Sequence, residues 1–203
     1  DYRASEVSDA LEPWLNAIAD QMLEYCKDRK VVVFLPLVAT SKKFKEILNK
    51  KGFIAEEVNG DSENRKEILK NFDDGKYNVL CNSMLLTEGW DCPSVDCIIN
   101  LRPTKSRALY QQIVGRGTRL YEGKKDLLVL DFLWNTAKHS LCRPSSLVAK
   151  SEEIAKKIDA KTKLGEEIDL LASEKMANEE VIKEREEALA KELEAQRKKK
   201  KRL

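Results

Sequence analysis

The hydrophobic and polar positions of the chain alternate between two periods. Residues 6–27 carry apolar side chains at Ala10, Trp14, Ala17, Ile18, Met22 and Tyr25, a helical spacing, with Pro13 suited to a first turn. Residues 31–37, VVVFLPL, are a continuous apolar run, the pattern of a strand covered on both faces of a parallel sheet. A helix is expected in SKKFKEILNKK, capped by Thr40 and Ser41 and stopped at Gly52. The alternation then repeats as strand 53–58, turn 59–61, helix 62–72, strand 77–82, strand 95–101, helix 106–115 and strand 126–132. Strands and helices at this spacing predict an α/β fold, a parallel sheet with helices on both faces. Open sheets of this class bind ligands beyond the carboxyl ends of their strands, so the loops after the strands are the expected sites.

The pattern changes past Trp134, after which no aromatic residue occurs. Apolar positions at Ile154, Ile158, Leu164, Ile168, Leu171, Ile182, Leu189 and Leu193 form a helical stripe with irregular steps. A long charged helix, or a coiled-coil hairpin turning at Gly165, is the expected form, with too little apolar surface for a core of its own. The chain ends in RKKKKR, residues 197–202.

Composition localises the charge. Of 203 residues, 42% are hydrophobic and 35% charged, with a net charge of +2. Residues 150–203 hold 15 Lys and Arg and 14 Asp and Glu, so that tail is expected to be mostly solvated. A net charge this small excludes global electrostatic attraction to nucleic acid and leaves only a local patch. No apolar run reaches the length of a membrane span and no signal-peptide pattern opens the chain, so a cytoplasmic protein without membrane contact is expected. Five scattered cysteines with no CxxC pair predict reduced thiols and no metal site.

Three segments carry more than fold. In SMLLTEGWDCP, residues 83–93, Gly89 and Asp91 follow a buried strand, where a glycine admits close backbone approach and an acid can sit beside a ligand; taken alone, the pair also fits a plain turn. In QQIVGRGTR, residues 111–119, glycines flank Arg116 and a second arginine follows at Arg119. Guanidinium forks match phosphate oxygens and stay charged when buried. Glycines there weaken a purely structural helix by about 1 kcal/mol each, which favours a site. NGDSENR, residues 59–65, reads as a turn and helix cap.

The order VVVFLPLVATSKKF, NGDSENRKEILKNFDDGKYNVLCNSMLLTEGWDCP, IINLRPTKSRALYQQIVGRGTR resembles the C-terminal RecA-like domain of superfamily 2 helicases of the DEAD/DEAH type, with motifs IV, V and VI in sequence. The wording is most similar to the bacterial and phage RadD and restriction-enzyme translocase branch and covers residues 30–132. The resemblance implies an ATP-dependent helicase or translocase whose Arg116 and Arg119 reach the phosphates of ATP, Arg119 as the finger on the γ-phosphate. It implies further that Gln112, Gly89 and Asp91 lie near the nucleotide, that Ser83 contacts the nucleic-acid backbone, and that motif IV, with Thr40 and Ser41, flanks the same track. Leu37 stands where many relatives carry Thr. In LDFLWNTAKH, His139 is implied to be a structural hydrogen-bonder.

These 203 residues hold no Gly-x4-Gly-Lys-Ser/Thr loop and no Asp-Glu pair. ATP and Mg2+ are therefore expected to be bound mainly by an N-terminal RecA-like domain outside this sequence. The implied organisation is a leading helix and linker at 1–29, a RecA-like domain at 30–145 and a charged helical extension at 146–203. Expected partners are nucleic acid, DNA before RNA, the N-terminal RecA-like domain, and a protein held by the tail helix. The alternative is a noncatalytic interaction module derived from a helicase domain; intact Arg116 and Arg119 favour the enzyme. A dinucleotide-binding domain is excluded because no G-x-G-x-x-G follows the first strand.

Overall fold

A computed structural model of the chain describes residues 3–83, 90–132, 141–163 and 165–200, the last six as backbone only. The chain divides into two compact units, Asp1–Cys142 and Arg143–Leu203.

The first unit is built on five parallel strands in the order β2-β3-β1-β4-β5: β1 (Val31–Phe34), β2 (Ala55–Val58), β3 (Val79–Asn82), β4 (Cys97–Asn100) and β5 (Leu128–Leu130). Val31 pairs with Val79 on one side and Cys97 on the other, so β1 lies at the centre. Its four residues are all buried, as an apolar run covered on both faces requires. Val31, Val33, Cys81, Cys97 and Ile99 face a core shared with Phe44 and Leu48 of α3 (Val38–Lys50). Val32, Phe34, Leu80 and Ile98 alternate to the other face. They are equally buried, as are Phe72 of α4 (Arg65–Asp73) and Tyr110 and Ile113 of α5 (Arg107–Gly115). The result is the α/β fold the sequence predicts, a parallel five-stranded sheet with its helices packed against it.

The leading segment departs from expectation in two ways. Pro13 sits in a 3₁₀ turn, Glu12–Trp14, that separates α1 (Ala4–Leu11) from α2 (Leu15–Tyr25). The buried stripe is Leu11, Leu15, Ile18, Met22 and Cys26, while Ala10, Trp14 and Ala17 are exposed. These buried residues join the core of β1 and β4, so the expected boundary at residue 29 falls inside the first unit. The cap assignment also changes. β1 stops at Phe34, Pro36 offers no N–H to a ladder, and α3 starts at Val38 with Leu37 as its N-cap residue and no side-chain cap. Thr40 and Ser41 lie inside the helix.

The second unit starts three residues before the expected boundary at 146. It holds α6 (Ser145–Val148), α7 (Glu152–Lys161) and α8 (Leu170–Lys200). Ser151 caps α7, accepting a hydrogen bond from the Ile154 N–H. Gly165, at φ 79°, lies between α7 and α8. The ion pairs Lys161–Glu180, Lys157–Glu184 and Glu153–Arg185 at 2.6–2.7 Å set the two helices antiparallel. Contrary to the charge-based expectation, the unit has its own small core of Ala149, Ile154, Ile158, Ala177 and Val181. Two helices facing one another need only alanine-sized and β-branched contacts to close. Among the described residues no helix is long and apolar enough to cross a membrane.

Candidate functional site

The segment preceding β4 is anchored by its neighbours in sequence. Trp90 is 7% exposed, with its ring 6.0 Å from that of Phe72, and Cys92 is buried. Lys30 lies 5.1 Å over the Phe72 ring and donates to the Asp73 carbonyl and the Ser94 hydroxyl, both at 2.8 Å. The Cys92 thiol lies 3.2 Å from the Asp73 carboxylate, and burial raises its pKa. With both flanking side chains inside, Asp91 stands outside, half-exposed, and pairs with Arg119. Arg116 donates to the Trp90 carbonyl at 2.6 Å.

Both arginines are carried by the loop after α5. Gly117 turns this loop against the sheet, where a Cβ would come within 2.4 Å of Leu127 Cδ1 and 3.1 Å of Ile98 Cγ1. Only glycine fits so close an approach without displacing Leu127. Lys124 then clasps the loop. Its ammonium donates to the carbonyls of Gly117, of Arg119 at 3.0 Å and of Pro93 at 3.3 Å, and burial lowers its pKa. Three carbonyls take up all three of its protons.

Arg116, Arg119 and Asp91 are thus brought together, but not where the strand rule placed them. They lie on segments that precede β4 and β5, at the amino edge of the sheet beside Lys30. The rule concerns loops leaving the strands, whereas α5 runs back across the sheet before delivering its arginines. Gln112 is exposed on α5, one turn before Arg116. Gly89 and His139 lie outside the described residues.

The carboxyl edge holds the other predicted residues. Ser83 follows β3, its hydroxyl 3.4 Å from the Pro36 carbonyl. Thr40 and Ser41 are buried: the Thr40 hydroxyl lies 2.5 Å from that of Ser8, and the Ser41 hydroxyl has no hydrogen-bond partner among the described residues. Neither presents a hydroxyl to a surface track, which corrects the motif IV expectation. The turn expected at 59–61 is present, and Asn59 within it is buried, donating 3.1 Å bonds to both oxygens of Glu57 and accepting from the Asp61 N–H at 2.8 Å. Burial raises the Glu57 pKa against the pull of Asn59, Lys42 and Lys45.

Sequence reasoning missed Lys124, Lys30 and Arg102. The GKK after Arg119 carries no signal of this in the sequence, because a lysine bound to main-chain carbonyls has no partner residue to betray it. Arg102, just past β4, is partly buried, and burial lowers its pKa.

The amino edge suits an anion better than a metal ion: two guanidinium groups converge there, one of them paired with Asp91, and among the described residues no three acids, cysteines or histidines gather for a metal.

The chain is 36% identical over 125 residues to the putative ATP-dependent helicase IRC3 of Saccharomyces cerevisiae, covering 62% of this chain and 18% of that protein. It is 28% identical over 144 residues to a 51.5 kDa protein of a Lactococcus phage, covering 70% and 32%. A fragment of a putative HsdR subunit of a type I restriction enzyme from Vibrio vulnificus superposes with a TM-score of 0.57 at 26% identity, over 66% of this chain and 30% of that one. The C-terminal domain of the DEAD-box protein Dbp5 shares the fold, with a TM-score of 0.50 at 19% identity over 58% and 68%. The chain therefore spans between about a fifth and a third of the length of these curated relatives. The helicase conserved C-terminal domain model matches residues 14–121, taking in most of the leading segment, all of the clasped arginines and more than half of the chain, which belongs to that family.

Proposed function

We propose that this chain is the C-terminal half of an ATP-dependent helicase or translocase, working with an N-terminal RecA-like domain that holds ATP and Mg2+. The observation that carries the reading is the clasped pair: Arg116 and Arg119 fixed beside Asp91 on an exposed edge. ATP supplies the phosphoryl group whose transfer drives movement. Arg119, half-exposed, exchanges its bond to Asp91 for a phosphate oxygen, and Arg116, bonded to the Trp90 carbonyl, sets the angle of approach. Arg116, held by the Trp90 carbonyl, stabilises charge developing on phosphate without reorganising, and Arg119 changes only its anionic partner. At the opposite edge, Ser83 and the cation Arg102 contact the nucleic-acid backbone. We take DNA as the nucleic acid. Its support is the restriction-enzyme neighbour and a 40% identity over 73 residues to the ATP-dependent DNA helicase MPH1 of Scheffersomyces stipitis.

The test is Arg119→Ala in the protein carrying both RecA-like domains. Hydrolysis of ATP should fall by about 10³ to 10⁵ fold, the range for arginine fingers, while nucleotide binding stays closer to wild type. Arg116→Ala should weaken binding as well. Wild-type hydrolysis by both variants would discard the assignment. Stimulation of hydrolysis by RNA but not by DNA would reverse the choice of nucleic acid.

A further inference from the structure

Beside the arginines the same loop holds out an apolar tip. Leu120 is 98% exposed and Tyr121 55% exposed. Apolar side chains scattered singly on a surface are ordinary, but this pair sits on a backbone fixed from both sides. The Gly117 N–H donates to the Val114 carbonyl at 2.9 Å, and the Thr118 hydroxyl donates to the Gly115 carbonyl at 3.1 Å. Past the tip, the Lys124 N–H closes a turn onto the Tyr121 carbonyl at 3.1 Å, with Gly123 at φ 82°. The Lys124 ammonium ties the carbonyl of Arg119 inward. Beneath the loop, Leu127 packs close against Gly117.

We infer that Leu120 and Tyr121 form an apolar tooth that seats on the domain bringing nucleotide to Arg119. The inference rests on the reading of Arg119 as a phosphate contact. Leu120 is its next residue, so a body delivering an anion to that guanidinium covers the leucine in the same movement. Charge selects the occupant. The tooth is set among Arg116, Arg119, Lys124 and Lys125, which outnumber the neighbouring acids Asp91 and Glu122, so the collar is net positive: it attracts a domain loaded with polyphosphate and repels a second copy presenting the same collar.

The experiment uses the protein with its nucleotide-binding domain attached, a dye pair across the two domains, and ADP with beryllium fluoride as the probe. The double variant Leu120→Ser, Tyr121→Ser should lower the closure equilibrium constant about tenfold or more, as removal of a central apolar anchor does. Leu120→Met should retain closure. In the 203-residue chain the double serine variant should melt at the wild-type temperature, since neither side chain supports the core. Wild-type closure by the double serine variant overturns the inference, and so does a loss of closure matched by a lower melting temperature. Concentration-dependent dimerisation of the 203-residue chain that the variant abolishes would overturn it too, by making a second copy the occupant. Failure of the underlying reading shows separately, as wild-type ATP hydrolysis by Arg119→Ala.

Discussion

At the amino edge of the sheet, Lys30, Arg116 and Lys124 each donate to main-chain carbonyls of segments distant in sequence. At the carboxyl edge, Thr40, Asn59 and Asn82 bond inward: to Ser8, to Glu57 two residues away, and to the Val33 carbonyl of the adjacent strand at 3.0 Å. The amino edge is a web of long cationic side chains that fixes separate loops against one another. The carboxyl edge is a row of self-satisfied strand ends with few side chains turned outward. Rigid cross-linking suits an edge that must present charge in one geometry. A plain edge suits a track along which a polymer advances.

Four substitutions break or sharpen this contrast. The largest effect is expected from Trp90→Ala. Removing a buried tryptophan should cost about 3–5 kcal/mol, and the backbone holding Asp91 and the Arg116 acceptor should loosen with it. Denaturant unfolding measures the first, and a loss under 1 kcal/mol would show that the amino edge does not depend on the Phe72–Trp90 contact. Ser83→Ala should be milder and confined to the other edge. Loss of one hydroxyl contact, about 1 kcal/mol, lowers nucleic-acid affinity several-fold without altering its salt dependence, whereas Arg102→Ala should reduce the slope of log affinity against log salt. Equal affinity in the serine variant would remove Ser83 from the track.

The smallest effect concerns pH. The Glu57 carboxyl is held above its ordinary value chiefly by burial, so the folded state binds its proton more tightly than the unfolded chain does. The stabilisation this gives is complete below the unfolded value and disappears as pH rises through the folded one. Glu57→Gln keeps an acceptor for Asn59 and should flatten that part of the profile of urea midpoint against pH. An unchanged slope between pH 4 and pH 7, values spanning the ordinary carboxylate range, would refute the buried charge.

The strands were legible because a β-branched run such as VVVF serves only a sheet covered on both faces. The arginines were legible because glycine on either side of Arg116 has no use in a plain helix. Other features stayed hidden for definite physical reasons. The leading helix was read a third of a turn off, since Trp14 weighs heavily in any apolar count yet lies outside on the 3₁₀ turn. Thr40 and Ser41 looked like caps until Pro36 ended β1 early and moved the helix start to Val38. Lys124 binds only carbonyls, which every residue owns. The edge itself was misplaced, because the position of a loop after a helix depends on the direction in which that helix crosses the sheet.

The central place of β1 also governs how the chain can be completed during synthesis. Of the five strands of this sheet Val31–Phe34 is made first, yet its neighbours are residues 79–82 and 97–100. Until the second of these has been translated, one side of a wholly apolar strand has its backbone donors and acceptors unpaired, the state most open to pairing with another chain. Such distant pairings also slow closure, because long loops must be drawn in before any contact rewards them. A pause between β3 and β4 would therefore lengthen the time this strand edge is open to aggregation, whatever the stability of the finished domain.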